Sequence, residues 1–400
     1  RAEAESMIND SLLQSLHLHL AGWGLRQFTS DASYFQWQRD NLSPSEITTL
    51  HQRMEDKRSG SSIDEVSFYD AAAHPNILPV LYSQRYHYYL TIGPRVADRI
   101  GDAQSILDVG CGVGILTTFY AKQYPGKRVV GIDRSSASIA CAQEHAKTLG
   151  LTNVQFECLD MDHTTLTGAS DLLLATHALL QVEQDPGVPS HNWNTFERAR
   201  DGTQQADFER RTGIGARLDR LSGMLSEQGR MIVFEKTRQL ARRVPFQRAL
   251  AERHLCLNEQ PELIRYRLVE EIADDGPFYV LGRGTSPQFL WDETPESDDG
   301  RPFDRARGKT DVTDPDAPLY ENHWPSAQLA WEQLQDKHLL KEITRQEPDG
   351  RQLHIELGRA VEGVYLYCAN TFDQRQLVIV EPARAVMLES YYQEIAGSSP

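Results

Sequence analysis

The 400-residue sequence has no apolar run of the length a membrane-spanning helix needs. No basic region followed by an apolar one stands near its start, so no secretory signal is expected. Cysteine is sparse: Cys111, Cys141, Cys158, Cys256 and Cys368 are an odd set with no C-x-x-C pair. That argues against a disulfide frame and a zinc site, and for free thiols in a reducing cytoplasm. Positive charge is also short, with 41 Lys and Arg against 57 Asp and Glu, a net −16. A general nucleic-acid surface is normally basic, so no such partner is expected. There is no internal repeat. The hydrophobic and charged fractions, 40% and 24%, are those of an ordinary globular chain. Its length suggests a core domain with additions.

What is present is organised around Ile106-Leu107-Asp108-Val109-Gly110-Cys111-Gly112-Val113-Gly114-Ile115-Leu116. Apolar residues run into an acid, three glycines alternate, and helix-compatible residues follow. This reads as a buried strand, a tight turn and a helix start that offers free N–H groups. The spacing G-x-G-x-G is not the dinucleotide G-x-G-x-x-G. An acid two residues before the first glycine would repel a pyrophosphate, but it suits a ligand bearing an ammonium group.

Strands and helices then alternate. Strands are expected at 106–109, 128–132, 154–158, 171–175 and 231–234, each of the first two followed by a helix. Ser135 or Ser136 caps the second of these helices and Gly150 ends it. Before this core, Leu12, Leu13, Leu16 and Leu20 mark a helical face, and Ser43-Pro44-Ser45-Glu46 is a helix start. A tyrosine cluster (Tyr82, Tyr86, Tyr88, Tyr89) precedes a helix over 92–100. The expected fold is α/β, a doubly wound parallel sheet.

The first glycine turn is one of four ordered signals. Asp133 ends the second strand, 23 residues after Gly110. Asp160 and Met161 follow the third strand, and Thr176-His177-Ala178-Leu179 follows the fourth. A helix, Gly229 and the strand 231–234 close the set. Together these resemble the class I S-adenosylmethionine-dependent methyltransferases over residues 100–236. The resemblance implies a Rossmann-like sheet with a helical N-terminal cap (1–99) and a substrate or lid insertion (237–324). It further implies that residues 325–400 complete the core sheet. It implies S-adenosylmethionine as cofactor, with Asp108, Gly110, Cys111, Gly112, Gly114, Asp133, Arg134, Asp160, Met161 and Thr176 around it. Asp133 would accept the ribose hydroxyls, and Asp160 and Met161 would meet the adenine.

Transfer needs a nucleophile held in line with the sulfonium methyl and water kept out. His177 stands near the expected reaction centre and is the candidate base, with no metal ion involved; His87 and His254 are more remote. The stretch after the fourth strand lacks the Asn/Asp-Pro-Pro-aromatic motif, the magnesium-binding Asp of catechol enzymes and the paired glutamates of arginine enzymes, since Glu183 and Glu197 lie too far apart. A small-molecule substrate remains, methylated at a hydroxyl or amine. The alternatives are a protein or peptide methyltransferase and a non-catalytic cofactor-binding partner or sensor. A homodimer is compatible with the sequence. Arg238, Arg242, Arg243 and Arg248 follow the fifth strand and suit a carboxylate clamp for an acidic substrate. The competing reading pairs them with acids of the 292–316 stretch.

Overall fold

The computed structural model describes residues 2–59, 61–180, 185–284, 288–300, 303 and 316–397. Glu183 and residues 301, 302 and 304–315 of the acid-rich 292–316 stretch lie outside the described residues. The chain divides into two compact units. The first takes residues 1–185, 209–238 and 246–291, and the second 186–208, 239–245 and 292–400.

The first unit opens with six helices: α1 (Ala2–Gly22), α2 (Asp31–Asn41), α3 (Pro44–Ser59), α4 (Ser62–Ala72), α5 (Leu78–Ser83) and α6 (Tyr86–Ala97). The start of α3 is a reciprocal cap. The Glu46 carboxylate accepts from the Ser43 N–H at 2.7 Å, and the Ser43 hydroxyl accepts from the Glu46 N–H at 3.2 Å. Next come β1 (Ser105–Val109), α7 (Ile115–Gln123), β2 (Arg128–Asp133), α8 (Ser136–Thr148), β3 (Val154–Cys158) and β4 (Ser170–Thr176). α9 (Gly202–Thr212), α10 (Ile214–Met224), β5 (Leu225–Phe234), α11 (Leu240–Glu252), β6 (Leu255–Leu257), β7 (Glu262–Arg267) and β8 (Ile272–Arg283) follow. α9 and α11 contribute residues to both units.

The core sheet runs β3-β2-β1-β4-β5-β8-β6, with β7 also paired to β8. β1 to β5 are parallel, and β8 turns antiparallel against β5. From β1 the chain winds outward in one direction to β2 and β3, then returns to β4 and β5 on the other side. The strand order therefore reverses between β1 and β4, and the carboxyl ends there border the crevice where open α/β sheets bind ligands. The centre of the sheet is apolar on both faces: Leu172, Leu173, Ala175 and residues 231–234 are fully buried. Leu16 and Leu20 of α1, Ile92 and Val96 of α6 and Phe119 of α7 share one core with it. Helices α1 and α6 approach closely because Gly93 has no side chain; a Cβ there would lie 3.1 Å from Leu16.

The antiparallel completion of the sheet departs from the sequence reading. Residues 325–400 were expected to finish the core sheet, but β8, from the supposed insertion, takes that place. It is buried from Asp275 to Gly282 and registers Phe278 on Phe234. The strand pattern near the C-terminus builds a second, five-stranded sheet of order β10-β11-β12-β13-β9. Its elements are β9 (Tyr320–Asn322), α12 (Ser326–Glu332), β10 (His338–Gln346), β11 (Gln352–Ala360), β12 (Gly363–Asn370), β13 (Arg375–Val380) and α13 (Ala385–Gly397). The physical reason is that β11, β12 and β13 are largely buried on both faces and need two covers of their own. Tyr365, Tyr367 and Leu377 pack with Ala327 and Ala330 of α12, while Val364, Leu366 and Val378 pack with Leu388 and Tyr392 of α13. No described helix is long and apolar enough to cross a membrane.

Candidate active site

The turn after β1 is held in a conformation that glycine alone adopts freely. Gly110, Gly112 and Gly114 have φ of 67°, 58° and 84°. At Gly110 space is short too, since a Cβ would sit 2.6 Å from that of Ala178. The Gly110 and Cys111 N–H groups donate to the Ile132 carbonyl at 2.8 and 3.0 Å. The Gly112 N–H donates to Asp133 at 2.9 Å, and the Ser135 N–H reaches the other oxygen of the same carboxylate, also at 2.9 Å. The Arg134 N–H adds a third backbone contact to this carboxylate. Burial raises the Asp133 pKa, against the pull of these N–H groups.

The structure brings Asp108, Gly110, Cys111, Gly112, Asp133, Arg134, Asp160, Met161, Thr176 and His177 to the wall of one cleft. Gly114 does not line it and serves as N-cap of α7. Asp108 is buried, accepts from the Thr117 hydroxyl at 2.6 Å and is pushed up to about 7 by burial, with the Asp133 charge adding to the rise. The Cys111 thiol is pushed up by burial and by both carboxylates, so it is no nucleophile. Asp160 steadies its own turn: one oxygen accepts from the Asp162 N–H at 2.9 Å. Arg134 pairs with Glu65 of α4.

His177 takes a φ of 53°, rare for a side-chain-bearing residue. Its Nδ1 lies 3.1 Å from the Arg85 guanidinium, and its Nε2 lies 2.8 Å from Asp275 of β8. Arginine has only donors, so Nδ1 accepts, and the proton sits on Nε2 and is donated to Asp275. Burial lowers the His177 pKa, Asp275 opposes that and Arg85 reinforces it. Both ring nitrogens are occupied, which leaves no lone pair for a substrate proton. His87 is exposed and accepts from the Arg267 N–H at 2.7 Å; neither it nor His254 lines the cleft.

Several residues in the cleft and behind its wall were not among the expected site residues. Arg85 lies in the middle of the tyrosine cluster, with its guanidinium 4.2 Å from the Tyr88 ring centroid and no carboxylate within ion-pair distance among the described residues. Tyr69, Tyr82, Tyr88 and Tyr89 line the cleft around it. Glu235, buried at the end of β5, accepts from the Ala178 and Leu179 N–H groups at 2.9 and 2.6 Å. Burial lifts its pKa to about 7. Arg217 of α10 joins Asp162 through two bonds of 2.8 and 2.9 Å and donates to the Leu179 carbonyl at 2.6 Å. The backbone after β4 is therefore fixed from two sides. The Ser135 hydroxyl at the N-terminus of α8 donates to Asp70 of α4 at 2.6 Å, which ties the helical cap to the element beside Asp133.

None of Arg238, Arg242, Arg243 and Arg248, which follow β5, lines the cleft. Arg238 pairs with Asp274, Arg243 pairs with Glu296 at 3.2 Å while its side chain is 4% exposed, and Arg242 is buried. The expected carboxylate clamp is not built from them; of the two readings, pairing with the acid-rich stretch describes Arg243.

Residues 100–208 match the family described as methyltransferase domain. The core belongs to the class I S-adenosylmethionine-dependent methyltransferases. The methyltransferase core is 34% identical over 92 residues to the mitochondrial ubiquinone biosynthesis O-methyltransferase of Saccharomyces cerevisiae, 22% of this chain and 29% of that one. It is 36% identical over 82 residues to a malonyl-[acyl-carrier protein] O-methyltransferase of Acetivibrio thermocellus, 20% and 28% of the two chains. A 23S rRNA (uracil(1939)-C(5))-methyltransferase of Pseudoalteromonas translucida matches at 33% over 66 residues, 16% and 14%. The chain spans less than a third of the length of these relatives.

Proposed function

We propose that the protein transfers a methyl group from S-adenosylmethionine to a hydroxyl or amine of a small molecule that carries an acid group. The observation that supports this reading is Arg85, a cation without a carboxylate partner among the described residues, set among four tyrosines in the same cleft as the glycine turn. Aromatic walls with one placed charge are the usual make-up of a small-ligand site.

The donor set fits the cofactor. Asp133, at the cleft wall, would accept from the ribose hydroxyls, and the Asp160 oxygen not used by the Asp162 N–H would suit the adenine amino group. Gly110 and Gly112 would let the backbone approach closely, and Asp108 would meet the ammonium. When bound, the cofactor supplies a methyl already activated on a sulfonium. The chain's own part is to position the nucleophile and exclude water, with Tyr82, Tyr88 and Tyr89 closing the cleft. His177 acts here as a positioning residue: Asp275 fixes its tautomer, and its Nδ1 fixes Arg85. The five free thiols accord with a reducing cytoplasm.

The test is methyl transfer from labelled cofactor to small molecules offered as free acids and as their amides. Arg85→Gln is expected to raise the Michaelis constant for the acids about tenfold and to leave the amides and cofactor affinity unchanged. A loss of cofactor affinity with unchanged acid kinetics would place Arg85 on the cofactor's own carboxylate and remove the acid from the substrate. Tight cofactor binding with no transfer to any pool would favour a sensor or partner role.

A further inference from the structure

The second unit holds a side-chain cluster that methyl transfer does not use. Along β11, Ile355 and Leu357 pack with α13, so alternation puts His354 and Glu356 on the opposite face. His354 is stacked on Trp193, with ring centroids 3.6 Å apart. In the β10–β11 register, Glu342 stands directly opposite Glu356, and Thr344 opposite His354. Two glutamates directly across a ladder repel one another, so the pairing calls for a cation between them.

The cation that senses Glu356 within the protein is engaged elsewhere: Lys337 donates to the Trp331 carbonyl at 3.0 Å and lies 4.1 Å from that ring's centroid. Glu356 itself is 6% exposed, and its Oε1 has no hydrogen-bond partner. That atom lies 3.9 Å from His354 Nε2, and one ligand atom from each of Glu342, His354 and Glu356 lies within 4.8 Å of the others. His354 Nδ1 is 2.7 Å from the Thr344 hydroxyl. With Nδ1–H donated there, the Nε2 lone pair turns toward the orphaned carboxylate oxygen, an arrangement that a shared cation resolves. A ligating histidine held through its other nitrogen is the usual outer-shell support of a metal.

We propose that Glu342, His354 and Glu356 bind a divalent transition-metal ion. Two carboxylates and one imidazole suit zinc or manganese better than calcium or magnesium, which take oxygen ligands. Exposed Glu342, on the edge strand β10, leaves the ion a route in. The bound ion would fasten that edge strand to β11.

The experiment titrates the full chain, stripped with chelator and dialysed, with zinc chloride and with manganese chloride. Calorimetry is expected to show one equivalent bound, and thermal denaturation a rise in Tm that chelator reverses. Glu342→Gln, at an exposed position where folding is spared, and His354→Gln are each expected to weaken binding more than about a hundredfold; Thr344→Val is expected to weaken it about tenfold. A wild-type chain with no equivalent bound and no metal-dependent Tm at millimolar metal overturns the proposal. So does undiminished binding in Glu342→Gln, because the ion then sits elsewhere.

Discussion

In the parallel sheet, Asp133 and Glu235 stand at the carboxyl ends of strands, where loops leave backbone N–H groups unpaired. Each acid takes several of them, and an arginine, Arg134 near Asp133 and Arg217 near Glu235, adds a favourable charge. In the antiparallel sheet, Glu356 stands mid-ladder, where the neighbouring strands use the backbone groups. Nothing is left for its Oε1 but side chains or an ion. A carboxylate at the end of a parallel strand thus finds backbone donors that a mid-ladder carboxylate lacks, and burial still raises the pKa of both strand-end acids. This also accounts for the ligand crevice at one edge of a parallel sheet, since the donors that hold the acids belong to the turns that hold the ligand.

The comparison breaks most readily at Gly110. Gly110→Ala places a Cβ at a φ of 67° and 2.6 Å from that of Ala178, so cofactor binding is expected to vanish in calorimetry. Denaturation should show about 1–3 kcal/mol of lost stability. Gly126→Ala, where nothing lies within 4 Å, should leave both unchanged. Asp133→Ala comes next: loss of a charge-assisted pair should weaken cofactor binding by about 1–3 kcal/mol, read in the same calorimeter. An unchanged affinity would take Asp133 out of the site.

A smaller effect separates Asp108 from its neighbours. Its folded pKa of about 7 lies above the ordinary 3.8. The ionised form attracts an ammonium, so affinity for the cofactor should climb as pH rises through neutrality, by at most about tenfold per unit. On stability the same shift has the opposite sign. Its contribution is complete below the ordinary value and is lost as pH rises through about 7, since the folded state holds the proton more tightly. Asp108→Asn should flatten both slopes, checked by calorimetry and melting on either side of neutrality. The smallest effect belongs to Arg238→Gln. Its partly exposed pair with Asp274 should contribute less than about 1 kcal/mol to stability, and acid-substrate kinetics should not move.

Much of the first sheet was legible because its signals are local. The glycine turn, the Ser135 cap and the apolar runs of β1 to β4 each lie within a few residues, and the structure places those strands within a residue of the sequence reading. What was not legible depends on pairing. Ile272–Arg283 contains Gly276 and Pro277, which break a strand pattern, and becomes a sheet strand only because β5 needs a partner on its open edge. Arg85 carries no motif of its own among the tyrosines, and its lack of a carboxylate partner emerges only once the surrounding acids are located. His177 was placed in the right cleft, but its ring is committed by Arg85 and Asp275, 92 and 98 residues away in the chain. Glu342, His354 and Glu356 meet through strand register, which composition does not display.

The bond from Ser135 to Asp70 bears on how this protein can be rebuilt. Substrate range in such a scaffold invites exchange of the N-terminal helices as a cassette. Here the cassette carries the acid that receives the hydroxyl capping α8, two residues beyond Asp133. A graft that brought new aromatic walls without an acid at position 70 would disturb the cofactor side while aiming at the substrate side. Chimeras of this chain are therefore best cut after α8 or built with Asp70 retained, and a library diversified at Tyr69, Tyr82 and Tyr89 alone would search specificity without touching that seam.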